Sequence, residues 1–286
     1  EIAQELNYKK KTAPSSKTVI GIFQWVTLFQ ELEDPYYQAI RVGIEKYCAD
    51  HNIHVVRAFQ SDCNYPDTLK DLQGLICIGK FNKSQIKSFQ KLNSNTIFVD
   101  MKTPKIYCDT INLDFQQAVT EALDYLYDLG HRKIAYLGGK EVLADNSVYF
   151  EERKDTFINF CQEHSIDHKS FIYEGDSAES GYNMTKQMIA DGDLPTAIFS
   201  ASDPLAIGAM RALYENGYKI PDDISIIGFD DISVASFSNP PLTTIHTPAE
   251  FMGEYAAHYI LLRTKEDSLN QQTPIRLTLP CNLIVR

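Results

Sequence analysis

The chain has 286 residues, 44% hydrophobic and 23% charged, with a formal net charge of −11. That length gives ample core for one large or two medium lobes, and the balance is that of an ordinary globular protein. No run approaches the roughly 20 apolar residues of a membrane helix, and the acidic balance argues against DNA being held by this chain's own surface, which would need a basic face.

In chain order, EIAQELNY (1–8) reads as a short amphipathic helical segment with Ile2, Leu6 and Tyr8 on one side. KKKTAPSSK (9–17) follows with linker composition and the only local basic run, Lys9, Lys10 and Lys11. The N-terminus is polar, does not read as a secretory signal and lacks Met, which points to a fragment or a processed chain. From Thr18 onward strands alternate with helices. Strands are predicted at VIGIF (19–23), HVVRAF (54–59), LICIG (75–79) and TIFVDM (96–101), with helices over 35–52, 68–72 and 83–92 between them. A second series follows: helix 115–129, strand 133–138, helix 151–164, strand 171–175, helix 180–190, strand TAIFS, helix 204–214, strand ISIIGF and a strand at TTI. A helix over 249–264 and the segment IRLTLPCNLIVR complete the chain. Strands alternating with helices of 10–15 residues mean βαβ units, hence an α/β fold of parallel sheets. Two series suggest two lobes.

Polar groups sit at the strand ends: Gln24 and Trp25, Asp100, Ser202 and Asp203, Asp230 and Asp231. Open α/β sheets bind ligands beyond the carboxyl ends of their strands. Trp25, the sole tryptophan, with Asp34, Tyr36 and Tyr37 after the first strand, suits a sugar site. Aromatic faces cover the apolar face of a sugar ring and carboxylates accept from its hydroxyls. The competing reading has both tyrosines starting the next helix and packing inward. Asp100 could equally cap a turn, and Asp203, followed by Pro204, has the pattern of a helix N-cap. From composition alone, Arg153 reads as an exposed helix arginine paired with Glu152 or Asp155.

The six cysteines are scattered without metal spacing and read as reduced, mostly buried thiols. No metal or cofactor site is expected, since Asp230 and Asp231 have no third ligand at suitable spacing. There is no phosphate-binding loop, no dinucleotide fingerprint and no nucleophile elbow, and the seven histidines pair with no nucleophile, so an enzyme is not expected. His131, after Gly130, reads as a helix-end packing residue.

LGHRKIAYLGG, SDPLAIGAMRAL, IPDDISIIGFDD and PPLTTI resemble the effector-binding core of lactose-repressor/galactose-repressor type transcription regulators, and the likeness extends over nearly the whole chain. The resemblance implies a two-lobed, periplasmic-binding-protein-like fold, each lobe a parallel sheet flanked by helices. It puts the tail of a DNA-binding headpiece and hinge at 1–16, with most of the headpiece missing. It divides the rest into lobe one (17–112 plus 247–274) and lobe two (113–246 plus 275–286). A small sugar effector is implied between the lobes, met by Trp25, Tyr36, Tyr37, Asp100, Arg153, Ser202 and Asp230. Asp100 would share its role with pairing to an arginine, and Lys80 and Phe81 are weaker candidates. Asp231 would be structural. Ser177 and Glu179 lie where relatives carry an aromatic lid residue. Relatives have Arg-x-x-Gly-Phe and Asn-Asp where this chain has Thr156 and Ser202, and residues 24–34 form a longer loop than usual. The resemblance further implies a cytoplasmic homodimer, with Phe251, Tyr255, Ile260 and Leu261 as possible contributors, and operator DNA bound through the headpiece. Gln24-Trp25 with Asp34-Pro35-Tyr36-Tyr37 looks most like galactose-type repressors, which implies galactose or a galactoside. An extracytoplasmic sugar-binding protein of a transport system has the same architecture and is the alternative.

Overall fold

The computed structural model describes residues 18–103, 106–173, 175, 177–265 and 273–286. The expected headpiece tail and hinge at 1–16 lie outside the described residues. The described chain forms two six-stranded sheets. The first contains β1 (Val19–Gln24), β2 (His54–Phe59), β3 (Gly74–Ile78), β4 (Thr96–Val99), β5 (Asp109–Leu113) and β11 (Arg276–Leu279), in the order β11-β5-β4-β3-β1-β2. The second contains β6 (Lys133–Gly139), β7 (Asp167–Tyr173), β8 (Ala197–Ser200), β9 (Ser225–Asp230), β10 (Thr243–His246) and β12 (Asn282–Ile284), in the order β12-β10-β9-β8-β6-β7. The two orders are equivalent strand for strand, so β4 in one lobe stands where β9 stands in the other. All pairings are parallel except β10 with β12.

The central strands β3, β4, β5 and β8 are buried along their whole length, as a parallel sheet covered on both faces requires. In lobe one α1 (Leu28–Glu33), α2 (Tyr36–Asp50), α3 (Tyr65–Thr68) and α4 (Lys83–Leu92) follow the early strands, and α9 (Ala249–Lys265) returns to pack on α2. In lobe two α5 (Phe115–Asp128), α6 (Glu152–Glu163), α7 (Ala178–Ala190) and α8 (Asp203–Glu215) do the same, with α7 on α8. The α2–α9 contact is backbone to backbone: a Cβ on Gly43 would overlap the Glu250 carbonyl.

Several elements depart from expectation. Residues 24–34 are not a plain loop, because α1 forms within them. Its Thr27 and Gln30 make a capping box, Gln30 N–H donating to Thr27 Oγ1 and Thr27 N–H to Gln30 Oε1. The helical stretch expected at 68–72 lies earlier, at α3, where Pro66 presets the first helical turn. β5 was not expected, since DTINL lacks an apolar run. Its buried Asp109 is accommodated by an ion pair with Arg263 and a hydrogen bond from Tyr259, both on α9. The expected second-lobe stretch 275–286 is divided: Arg276–Leu279 pairs with β5, and only β12 joins the second sheet. The chain therefore passes between lobes after β5, after β10 and between β11 and β12. Ile260 and Leu261, expected as possible dimer contributors, are 0% and 7% exposed and pack within the lobe, whereas Phe251 is 50% exposed.

Five cysteines are buried and Cys63 is exposed, all as free thiols. Burial pushes the Cys48, Cys161 and Cys281 thiols up to about 12, which keeps them protonated and unreactive. No described helix is long and apolar enough to cross a membrane.

Candidate functional site

The carboxyl ends of both sheets face one cavity of about 420 Å³ between the lobes. Its lobe-one wall starts where β1 ends. Trp25 N–H donates to the Ile78 carbonyl, seating Trp25 over the end of β3. Gly79 permits this: its φ is +109°, and a Cβ there would collide with Trp25 Cβ. The Trp25 ring meets Tyr37 edge-on at 6.1 Å, and Tyr37 meets Tyr36 at 5.1 Å. Both tyrosines start α2 and are buried, 8% and 7% exposed, yet both border the cavity. The two readings of this pair therefore hold together. Tyr37 donates to Asp100 Oδ2 at 3.2 Å.

Asp100 follows β4 with φ +63°. Its carboxylate is buried, and its partner is Lys80 rather than the expected arginine, with Nζ at 2.6 Å from both Oδ2 and the Asp100 carbonyl. Burial works against the Lys80 charge, but the Asp100 and Glu141 carboxylates outweigh it and hold the ammonium above its usual range. Lys80 borders the cavity, while Phe81 is 3% exposed and lies in the core with Phe23 and Phe89.

On lobe two, Arg153 stands in the first turn of α6. It is neither exposed nor paired with Glu152 or Asp155. Its Nε and Nη2 fork onto Glu151 at 2.8 and 2.7 Å, and Nη1 donates to the Ala201 carbonyl at 2.6 Å. The guanidinium lies 5.2 Å from the Phe115 ring and 5.5 Å from Phe229. Ser202, not Asp203, is the N-cap of α8, accepting from Leu205 N–H at 3.5 Å. Asp203 points inward, accepting from Ile232 N–H at 2.8 Å and from the Thr244 hydroxyl at 2.6 Å. Burial pushes its carboxyl up to about 7. It thereby anchors the loop that begins at Asp230.

Asp230 is the last residue of β9, with φ +104°, a conformation costly for a non-glycine residue. β4 and β9 are equivalent strands, so each lobe ends the same strand in an acidic residue with left-handed backbone, both facing the cavity. Burial, then the charges of Asp34 across the cleft and Asp203 behind it, raise the Asp230 carboxyl well above the usual range. Asp231 turns away to His246 and Arg286, at 3.0 and 2.5 Å.

All seven expected residues, Trp25, Tyr36, Tyr37, Asp100, Arg153, Ser202 and Asp230, border this one cavity. So do Val26, Gln30 and Glu33 from the unexpected α1 segment, and Phe115, Glu141 and Val142, none of them singled out beforehand. Glu141 is buried beside Lys80 and Arg153, and burial pushes its carboxyl up to about 8. It stands two residues past the end of β6 and of LGHRKIAYLGG, the same strand-end position that marked the other candidates. The Thr27–Gln30 capping box was the readable sign for α1. Ser177 caps α7 and lines the cavity, while Glu179 does not. His131 lies at the opposite, amino-terminal edge of the second sheet, bonded to Thr196 and Ser225 at 2.9 and 3.1 Å. Among the described residues no group of three or more His, Cys, Asp or Glu could hold a metal ion.

Residues 123–286 match the family model of a periplasmic binding protein-like domain. The chain is 38% identical over 279 residues to the HTH-type transcriptional regulator GalR of Streptococcus thermophilus, covering 95% of this chain and 81% of the relative. It is 33% identical to the HTH-type transcriptional repressor MelR of Bacillus subtilis, covering 100% of this chain and 85% of that protein. Among solved structures, the lac repressor dimer bound to operator and an anti-inducer superposes with a TM-score of 0.79 at 25% identity, covering 100% of this chain and 96% of that one. A CelR–cellobiose complex has the same fold, with a TM-score of 0.81 at 20% identity and coverage of 99% and 87%.

Proposed function

Given that this chain belongs to the lactose-repressor/galactose-repressor family of helix-turn-helix transcriptional regulators, we propose that its interlobe cavity binds galactose or a galactoside and so controls binding to operator DNA. The observation that carries this reading is the composition of the cavity wall. Trp25, Tyr37 and Phe115 offer apolar faces, while Asp34, Asp230 and the Glu151-oriented fork of Arg153 offer acceptors and donors to hydroxyls. The same wall disfavours a phosphorylated ligand. Of the three cations that border the cavity, two, Lys80 and Arg153, are already ion-paired.

In this reading a sugar bridges Asp34 of lobe one and Arg153 and Asp230 of lobe two. It stabilises one lobe arrangement by the difference in its contacts with the two arrangements. In a cytoplasmic homodimer, a lobe rotation changes the spacing of two headpieces, and operator half-sites lie about one helical turn apart. Galactose is supported by the 38% identity to a regulator named GalR. The transport-protein alternative shares the fold, but the matched full-length relatives are transcriptional regulators.

Isothermal titration against galactose, glucose, lactose, raffinose and the corresponding phosphates tests this. Saturable heat with a neutral galactose-containing sugar, lost in Asp230→Ala, is expected. Heat with the phosphorylated sugars alone would refute the neutral-sugar reading.

A further inference from the structure

The segment between β6 and α6 belongs to lobe two but is fastened to lobe one. We propose that it is a strap that holds the lobes in the face-to-face arrangement enclosing the cavity before any effector arrives, with Tyr149 as its positioning residue. Only its effect on affinity rests on the sugar-binding reading of that cavity.

The strap is a small hairpin. Tyr149 N–H donates to the Glu141 carbonyl and Leu143 N–H to the Ser147 carbonyl, both at 2.9 Å, on either side of the Val142–Val148 bridge. At its tip the Asp145 carboxylate accepts from Ser147 N–H at 3.1 Å and from the Ser147 hydroxyl at 2.5 Å. A lone two-stranded hairpin is marginal in water, so something outside it must hold it.

That hold comes from the other lobe. The Tyr149 ring packs against the lobe-one core cluster that includes Phe23, Phe81 and Met101. Lys102 N–H donates to the Tyr149 hydroxyl at 2.8 Å, and the hydroxyl donates to the Lys102 carbonyl at 3.1 Å. Lys102 stands two residues past Asp100, in backbone outside any strand or helix. One hydroxyl thus satisfies both main-chain groups of a residue that has no ladder to satisfy them. Lys102 Nζ adds an ion pair to Glu152 at 2.7 Å, but its side chain is 50% exposed and such pairs contribute little. Tyr149 is therefore the main fastening. A loop serving lobe two alone would pack this ring on its own lobe.

The fastening reaches the cavity in two ways. Tyr149 is bonded through its backbone to Glu141, which borders the cavity, and the Tyr149 ring lies 5.3 Å from Nζ of Lys80, the partner of Asp100. Fixing Tyr149 keeps Glu141 of lobe two beside Lys80 of lobe one, and so keeps the two cavity walls facing each other. A cavity preformed in this way spares the effector the free energy of bringing the lobes together.

The test places spin labels on Cys63 of lobe one, an exposed thiol, and on Ser170→Cys of lobe two, at an exposed position of β7; the five other cysteines are buried. Pulsed electron paramagnetic resonance then reads the interlobe distance without ligand. Tyr149→Phe keeps the ring and removes the hydroxyl, whereas Tyr149→Ala removes both. The distance distribution is expected to shift or broaden in Tyr149→Phe, and further in Tyr149→Ala. Galactose affinity, titrated in the unlabelled variants, is expected to fall about two- to fivefold in the first and about tenfold in the second. Distances unchanged in both variants would overturn the strap. Altered distances with unaltered affinity would make it a structural link alone and overturn Tyr149 as a positioning residue. Altered distances with no sugar bound by wild type would support the strap and refute the sugar reading.

Discussion

Asp100→Asn isolates the charge that holds the lobe-one wall. Asparagine keeps the size of the side chain, still accepts from Tyr37, and is among the residues that best tolerate a φ of +63°. What it removes is the carboxylate 2.6 Å from Lys80 Nζ, in a pair whose side chains are 5% and 4% exposed. Removing one partner of a buried ion pair costs about 3–5 kcal/mol, because the remaining charge stays desolvated. Here the Asp100 carbonyl still accepts from Nζ at 2.6 Å, so the lower end applies, about 3 kcal/mol. For a chain of this size that lowers Tm by roughly 6–12 °C, readable by circular dichroism or scanning calorimetry. Lys80→Met in the Asp100→Asn background removes the stranded ammonium and should return stability to within about 1 kcal/mol of wild type. An Asp100→Asn protein as stable as wild type, or a double variant less stable than the single one, would refute the account of Lys80 as a buried charge dependent on Asp100.

Asp203 gives a pH dependence of definite sign. Its carboxyl stands near 4 in an unfolded chain and is pushed up to about 7 in the fold, so its stabilising contribution is full below about pH 4 and is lost as pH rises to about 7. That amounts to at most about 4 kcal/mol; Asp203→Asn should flatten this part of a stability–pH profile from chemical denaturation, and an unchanged slope would count against it. Arg153→Lys, which loses the fork onto Glu151, should weaken sugar binding about tenfold or more in a titration, whereas unaltered affinity would remove Arg153 from the site. Gly43→Ala forces α2 from the Glu250 backbone and should cost about 1–3 kcal/mol in thermal unfolding; no loss would mean that the α2–α9 contact is looser than described.

The α/β class, nearly every strand and the polar strand ends were legible in the sequence, because apolar runs bounded by polar groups report burial locally. Trp25, Asp100 and Asp230 were legible as strand-end residues for the same reason. The folded structure decided the partners. Nothing local marks Lys80, twenty residues before Asp100, as its ion-pair partner. Arg153 reads as exposed from its helix neighbours alone, and only the arrival of Ala201, Phe115 and Phe229 encloses it. β5 was illegible because its buried Asp109 is satisfied by Tyr259 and Arg263 of α9, more than a hundred residues later. Asp203 carries a cap signature but is turned inward by Thr244 and Ile232, and the cap falls to Ser202. Local pattern determines which residues reach the cleft; long-range pairing decides which of them remain available to a ligand.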